Sequence, residues 1–217
     1  MNIWNWLKRN HALMAGLFIS IMYLVGLVQI IVFGNESIME LTPMQLLLSF
    51  FILYAYTYEK RSRKLLAFLI LFLLGLAIEI IGVNTGFPFG EYAYGNLLGY
   101  KIWGTPLIIG INWILIVVGA SQMVFRLMPH NPLWQHSLIV GLISVGMDVL
   151  IEPVAIHFGM WEWDEASIPM TNYLSWAIIS ALLSYLYGRL TEQISHTVVI
   201  IVILWVAVFF GLLNLYV

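Results

Sequence analysis

The chain has 217 residues, of which 62% are hydrophobic and only 9% charged, with a formal net charge of −2 and no cysteine. A water-soluble globule averages about 45–50% apolar and about 25% charged residues, so this composition excludes one and predicts an all-α integral membrane protein. The missing cysteines exclude disulfides, thiolate nucleophiles and iron–sulfur clusters, and the near-balance of charge offers nothing to a nucleic acid.

A spanning helix takes about 20 predominantly apolar residues. Such runs occur at 11–33, 42–58, 65–83, 105–127, 134–157, 172–190 and 196–217, which predicts a single domain over residues 1–217 with seven transmembrane helices. The first run, Leu13 to Phe33, is too long for the apolar region of a signal peptide and lacks a small-residue cleavage site, so it reads as a helix. Lys8, Arg9, Lys60, Arg61, Arg63, Lys64, Arg126 and Arg189 fall on one side of this topology and only Lys101 on the other. The positive-inside rule makes the first side cytoplasmic, with the N-terminus inside, the C-terminus outside, and a prokaryotic cytoplasmic membrane as the expected location.

A faint repeat runs through the middle of the chain. Glu79 is followed seven residues on by Gly86, then a loop, then Pro106 and Trp113; Glu152 is followed by Gly159, a loop, Pro169 and Trp176. Pro43 and Phe50 echo the end of the pattern. Chance competes with it, because aromatics are 15% of the chain; as a true repeat it implies three helical hairpins plus one helix, with equivalent sites meeting on one axis.

Three carboxylates, Glu79, Asp148 and Glu152, lie within predicted spans. A charge there costs at least about 2.5–3.5 kcal/mol, so intramembrane acids face the bundle interior and mark function. The third and fifth runs both point outward, which places Glu79 and Glu152 near their outer ends and Asp148 one turn deeper, so that all three can converge beneath the outer loops. Asp148 and Glu152 share a helical face at i, i+4. Two such acids in low dielectric do not readily both ionise, so at least one is expected to stay protonated near neutral pH. The plainer alternative makes each acid a hydrogen-bonded strut between helices, satisfied by Asn112, Tyr173 or Ser175.

The stretch GVNTGFPFGEYAYGNLLG, Gly82 to Gly99, holds five glycines and four aromatics. Phe87, Phe89, Tyr92 and Tyr94, with Trp161 and Trp163 in a second loop, read either as an interfacial belt or as a folded lid, the glycines permitting close backbone approach. An aromatic lining suits a flat polyene and stabilises a nearby carbocation through its ring faces. Familiar chemistries are missing their parts. No helix core holds a lysine for a retinal Schiff base, and the five histidines are too scattered for a di-iron site. Neither a G-x-G-x-x-G for a dinucleotide nor paired aspartates for magnesium and a diphosphate is legible. No cofactor and no metal are expected; acid–base chemistry on an apolar, membrane-dissolved substrate remains.

The segment EIIGVNTGFPFGEYAYGNLLGYKIWGTPLIIGINW (Glu79 to Trp113), with MDVLIEPVA (Met147 to Ala155), GMWEW (Gly159 to Trp163) and IPMTNYLSW (Ile168 to Trp176), resembles the CruF-type carotenoid hydratase family. The likeness covers about the middle half of the chain, and its motifs are long and specific. It implies addition of water across the terminal 1,2 double bond of an acyclic ψ end group, giving a tertiary alcohol without a redox cofactor. It also implies a carotenoid held by the bilayer as substrate, with Glu79, Asp148 and Glu152 catalytic. Asn84, Phe87, Phe89, Glu91, Tyr92, Tyr94, Asn112, Trp113, Trp161, Trp163, Asn172 and Trp176 are expected to bind it. Glu152 or Asp148 would be the acid and Glu79 its partner, or the reverse. An intramembrane carotenoid cyclase shares the protonation step and a small seven-helix transporter shares the buried acids; both remain as alternatives.

Overall fold

The computed structural model describes residues 10–57, 59–165 and 167–217. Lys8 and Arg9, two of the basic residues used for orientation, lie outside the described residues. The main elements are α1 (His11–Ile31), α2 (Thr42–Tyr56), α3 (Arg61–Thr85), α4 (Ile108–Leu127), α5 (Leu133–His157), α6 (Met170–Leu190) and α7 (Thr197–Leu213), with a 3-10 turn at Glu36–Leu41. Four short strands sit in the connections: β1 (Tyr92–Tyr94), β2 (Lys101–Ile102), β3 (Thr105–Pro106) and β4 (Trp161–Trp163).

Among the described residues, five stretches, His11–Ile31, Glu36–Tyr56, Arg61–Thr85, Ile108–Leu127 and Leu133–His157, are long and apolar enough to cross a membrane. The other two predicted runs are helices outside that set, each for a physical reason. α6 carries Asn172, Ser175, Ser180 and Ser184 on its buried side, which dilutes its apolarity. α7 has 17 residues, about 26 Å of helix against a hydrocarbon core of about 30 Å.

The bundle is turned inside out relative to a soluble protein. Leu13, Leu17 and Ile21 on α1, Leu65, Leu69 and Leu73 on α3, and Met170, Leu174, Ile178 and Leu182 on α6 recur every four residues and are exposed, so each helix presents an apolar stripe outward. The polar residues of α6 point inward. α4 runs through the centre with nearly every side chain from Ile108 to Phe125 buried, packed on α3, α5, α2 and α7, while α5 and α6 form the most extensive helix pair.

Helix ends follow from their punctuation. Pro132 and Pro169 precede α5 and α6, where a missing N–H costs nothing. α3 ends at Gly86, whose left-handed backbone (φ 71°) lets its N–H bond the Gly82 carbonyl at 2.8 Å. The chain then turns back over the bundle as β1, which pairs antiparallel with β4 in the register Tyr92 to Trp163, Ala93 to Glu162 and Tyr94 to Trp161. The two hairpins of the suspected repeat therefore meet: β1 pairs with β4, and Trp113 stacks on Trp176 with centroids 4.2 Å apart and planes 13° apart.

Candidate active site

Y-A-Y and W-E-W are period-two patterns, and in a strand that period sends the first and third side chains to one face. Tyr92, Tyr94, Trp161 and Trp163 thus share the face turned into the bundle, while Ala93 and Glu162 are exposed on the other. Tyr92 lies 5.1 Å from Trp163 and Tyr94 5.9 Å from Trp161, centroid to centroid. The ribbon is tied down from both sides. Thr171 Oγ1 donates to the Phe89 carbonyl at 2.9 Å and Ser175 Oγ to the Pro88 carbonyl at 2.8 Å. The Asp164 and Gly95 amides donate to the carbonyls of Glu91 and Met160.

All three carboxylates end beneath this ribbon and are buried: Glu79 is 4% exposed, Asp148 1% and Glu152 2%. Each of the four ribbon aromatics donates to one of them. Tyr92 and Tyr94 hydroxyls donate to Glu79 Oε2 at 2.6 and 2.7 Å, and Trp113 Nε1 donates to Glu79 Oε1 at 3.0 Å from below. Trp161 and Trp163 Nε1 both donate to Glu152 Oε2 at 3.0 Å. Asn172 Nδ2 donates to Asp148 Oδ2 at 2.7 Å and reaches Glu152 Oε1 at 3.4 Å, a long contact, so it bridges the i, i+4 pair. Burial, and then the Glu79 carboxylate beside them, hold both ribbon phenols well above the ordinary tyrosine range, so they stay donors.

The groups enclose a cavity of about 370 Å³, counting the space through which it opens, and its walls include Phe89, Tyr92, Tyr94, Asn112, Asn172 and Trp176 together with the three acids, Trp161 and Trp163. Four of the expected binding residues are not in this lining. Trp113 sits behind it, fully buried, as a support for Glu79. Asn84 is five residues beyond Glu79, about 140° around the helix; it is exposed and donates to the carbonyls of Ile80 and Trp103. Phe87 is 72% exposed, just past the turn at Gly86. Glu91 precedes Tyr92, so the same alternation that turns the tyrosines inward turns it out. Ile109 is a lining residue that sequence reasoning missed; it stands one helical turn before Trp113, and that spacing was the available signal.

Tyr92→Phe and Tyr94→Phe each remove one donor from Glu79 while keeping the ring. Hydrogen bonds to charged groups are worth about 1.5–3 kcal/mol, so each variant is expected to lose about tenfold to a hundredfold in turnover. Steady-state rates in membranes, with protein level as control, check this.

Residues 41–217 match the family model described as carotenoid biosynthesis protein. The chain belongs to the carotenoid biosynthesis protein family. This agrees with the CruF-type resemblance of its middle segment, and the match to the family model reaches beyond that segment to the last residue. Within the carotenoid biosynthesis proteins, the chain is 27% identical over 128 residues to bisanhydrobacterioruberin hydratase of Haloarcula japonica, a match covering 56% of this chain and 44% of that relative. The chain therefore spans less than half the length of the hydratase it matches. No solved structure matches it.

Proposed function

We propose that this chain is a cofactor-independent carotenoid hydratase that adds water across the terminal 1,2 double bond of an acyclic ψ end group. The observation that carries the reading is the division of hydrogen bonds in the cavity: two acids held by separate pairs of aromatic donors, with a third acid bridged to one of them. The Asp148–Glu152 pair, sharing Asn172, supplies the proton. A neutral carboxyl of the pair donates it to carbon 2; the π electrons form the new C–H bond, and carbon 1 becomes a tertiary cation. Rings of Tyr92, Trp161 and Trp163 lie around it. A water held near Glu79 and Asn112 attacks carbon 1, and Glu79 accepts the proton the water loses. Return of that proton to the pair restores the starting state, so one water is added and nothing is oxidised or reduced. Glu79 suits the accepting role because three donors already converge on its two oxygens.

The rest of the reading is topological. The chain forms one membrane domain of seven spans, α6 and α7 crossing with the polar face and short length that the bundle shields. Lys60, Arg61, Arg63, Lys64, Arg126 and Arg189 lie at the end away from the ribbon, which makes that end cytoplasmic and the ribbon external. The host membrane is a prokaryotic cytoplasmic membrane.

Labelled water tests the mechanism. In heavy-oxygen water the product is expected to carry the label in its hydroxyl at carbon 1, and in deuterated water one non-exchangeable deuterium at carbon 2. Deuterium without labelled oxygen would make the chain a cyclase, an unaltered pigment a transporter, and label from molecular oxygen would overturn the acid–base reading. Turnover is expected to persist without oxygen, flavin or nicotinamide.

A further inference from the structure

The acid cavity shares part of its wall with a neighbour. Ile109, Asn112 and Trp161 also line a second cavity of about 560 Å³ between α1, α2, α4, α5 and α7. The two differ in chemistry. The acid cavity contains every buried carboxylate of the bundle interior described above, whereas the second has no charged residue in its walls, which are built mainly from side chains such as Met39, Leu46, Ile151, Val206 and Phe209. The second cavity in turn shares Gln45 with an apolar groove between the outward faces of α1 and α2. These two helices touch little, since α1 packs chiefly on α7.

We propose that the 560 Å³ cavity holds the polyene body of the carotenoid whose end group sits among the acids, and that the far part of the chain leaves past Gln45 between α1 and α2 into lipid. This rests on the hydratase reading for the identity of the ligand. Neither cavity alone is large enough to enclose a whole carotenoid, since both volumes count the space through which the cavities open. A ligand that fits both must be long and uncharged, with its reactive end in the polar one. The shared residues fit a junction of that kind: Trp161 gives a ring face to the conjugated chain while its N–H stays bonded to Glu152, and Asn112 marks where polar lining begins.

Leu46 lines the second cavity and not the first, so filling that position separates the two. Turnover is measured on lycopene and on a short isoprenoid hydrocarbon with the same trisubstituted end, which needs only the acid cavity. In Leu46→Trp the ratio of lycopene turnover to short-substrate turnover is expected to fall at least about tenfold, and purified protein should retain less lycopene than the parent. An unchanged ratio would overturn the proposal. Val206→Trp, on the opposite wall, and the milder Leu46→Phe should shift the ratio in the same direction and keep the test decisive if Leu46→Trp fails to fold. If the parent hydrates neither substrate, the hydratase reading fails and lycopene retention alone judges the channel: retention by the parent and loss in Leu46→Trp supports it, equal retention or none in the parent overturns it.

Discussion

Glu152→Gln and Glu79→Gln are expected to insert as the parent does and to lose about 10²–10⁴-fold in turnover, the usual contribution of positioned proton transfer. The amide keeps the volume but can neither give nor take the reacting proton. The hydrogen-bond pattern further predicts that the two variants differ in stability. At position 152 both indoles donate to the same oxygen, so the glutamine carbonyl can replace it, and its NH₂ meets the Asn172 Nδ2 donor only across a long contact of 3.4 Å. At position 79 the carbonyl can serve the two tyrosines, but the NH₂ then faces the Trp113 N–H. That places donor against donor in a buried site and costs about 1–3 kcal/mol. Thermal unfolding in detergent should therefore rank Glu79→Gln below Glu152→Gln, with pigment analysis reporting activity. Full turnover in both would remove the carboxylate mechanism.

Gly95→Ala is expected to disable the site without touching an acid. A Cβ at Gly95 would collide with the Gly159 carbonyl oxygen, and this is backbone, which cannot swing aside. Gly159 is itself in the left-handed region at φ 66°, so neither strand of the ribbon has slack beside the clash. The alanine must push β1 from β4, which lifts Tyr94 from Glu79 and Trp161 from Glu152. Overpacking of this sort costs about 1–3 kcal/mol; turnover should fall further than stability, because misplacement of positioning groups by about 1 Å can cost about a hundredfold. Gly146→Ala is the control, a helical position where an added Cβ meets nothing within 4 Å. Circular dichroism should show the helices intact in both, and rates comparable for Gly146→Ala and Gly95→Ala would sink the ribbon argument.

The apolar runs found the helices because lipid demands apolar length, and the three acids stood out because no other acid lies in those runs, whose remaining charges, Arg126 and Arg189, stand at run ends. The aromatic loops were legible as a lining but not as a ribbon. An alternation of three residues is too short to mark a strand in the sequence, and the pairing of Tyr92 with Trp163 joins segments that only the tertiary fold brings together. Asn84, Phe87 and Glu91 are close in sequence to Glu79 and Tyr92, but their place on the helix, the turn and the strand edge leaves them outside the cavity lining. The second cavity was not legible at all: Leu46, Ile151 and Val206 are ordinary apolar residues of three helices, and the void they leave is a property of packing.

The origin of each acid's donors bears on how the protein is made. Tyr92 and Tyr94 follow Glu79 by 13 and 15 residues, and Trp161 and Trp163 follow Glu152 by 9 and 11. When α3 enters the bilayer during synthesis, α5 and α6 do not yet exist, and a carboxyl left alone there is penalised. The residues that satisfy it are next to leave the ribosome, in the same hairpin. The second acid-bearing hairpin repeats the arrangement, so each hairpin carries donors for its own acid, and the pairing of β1 with β4 is what brings the two sets together into one site.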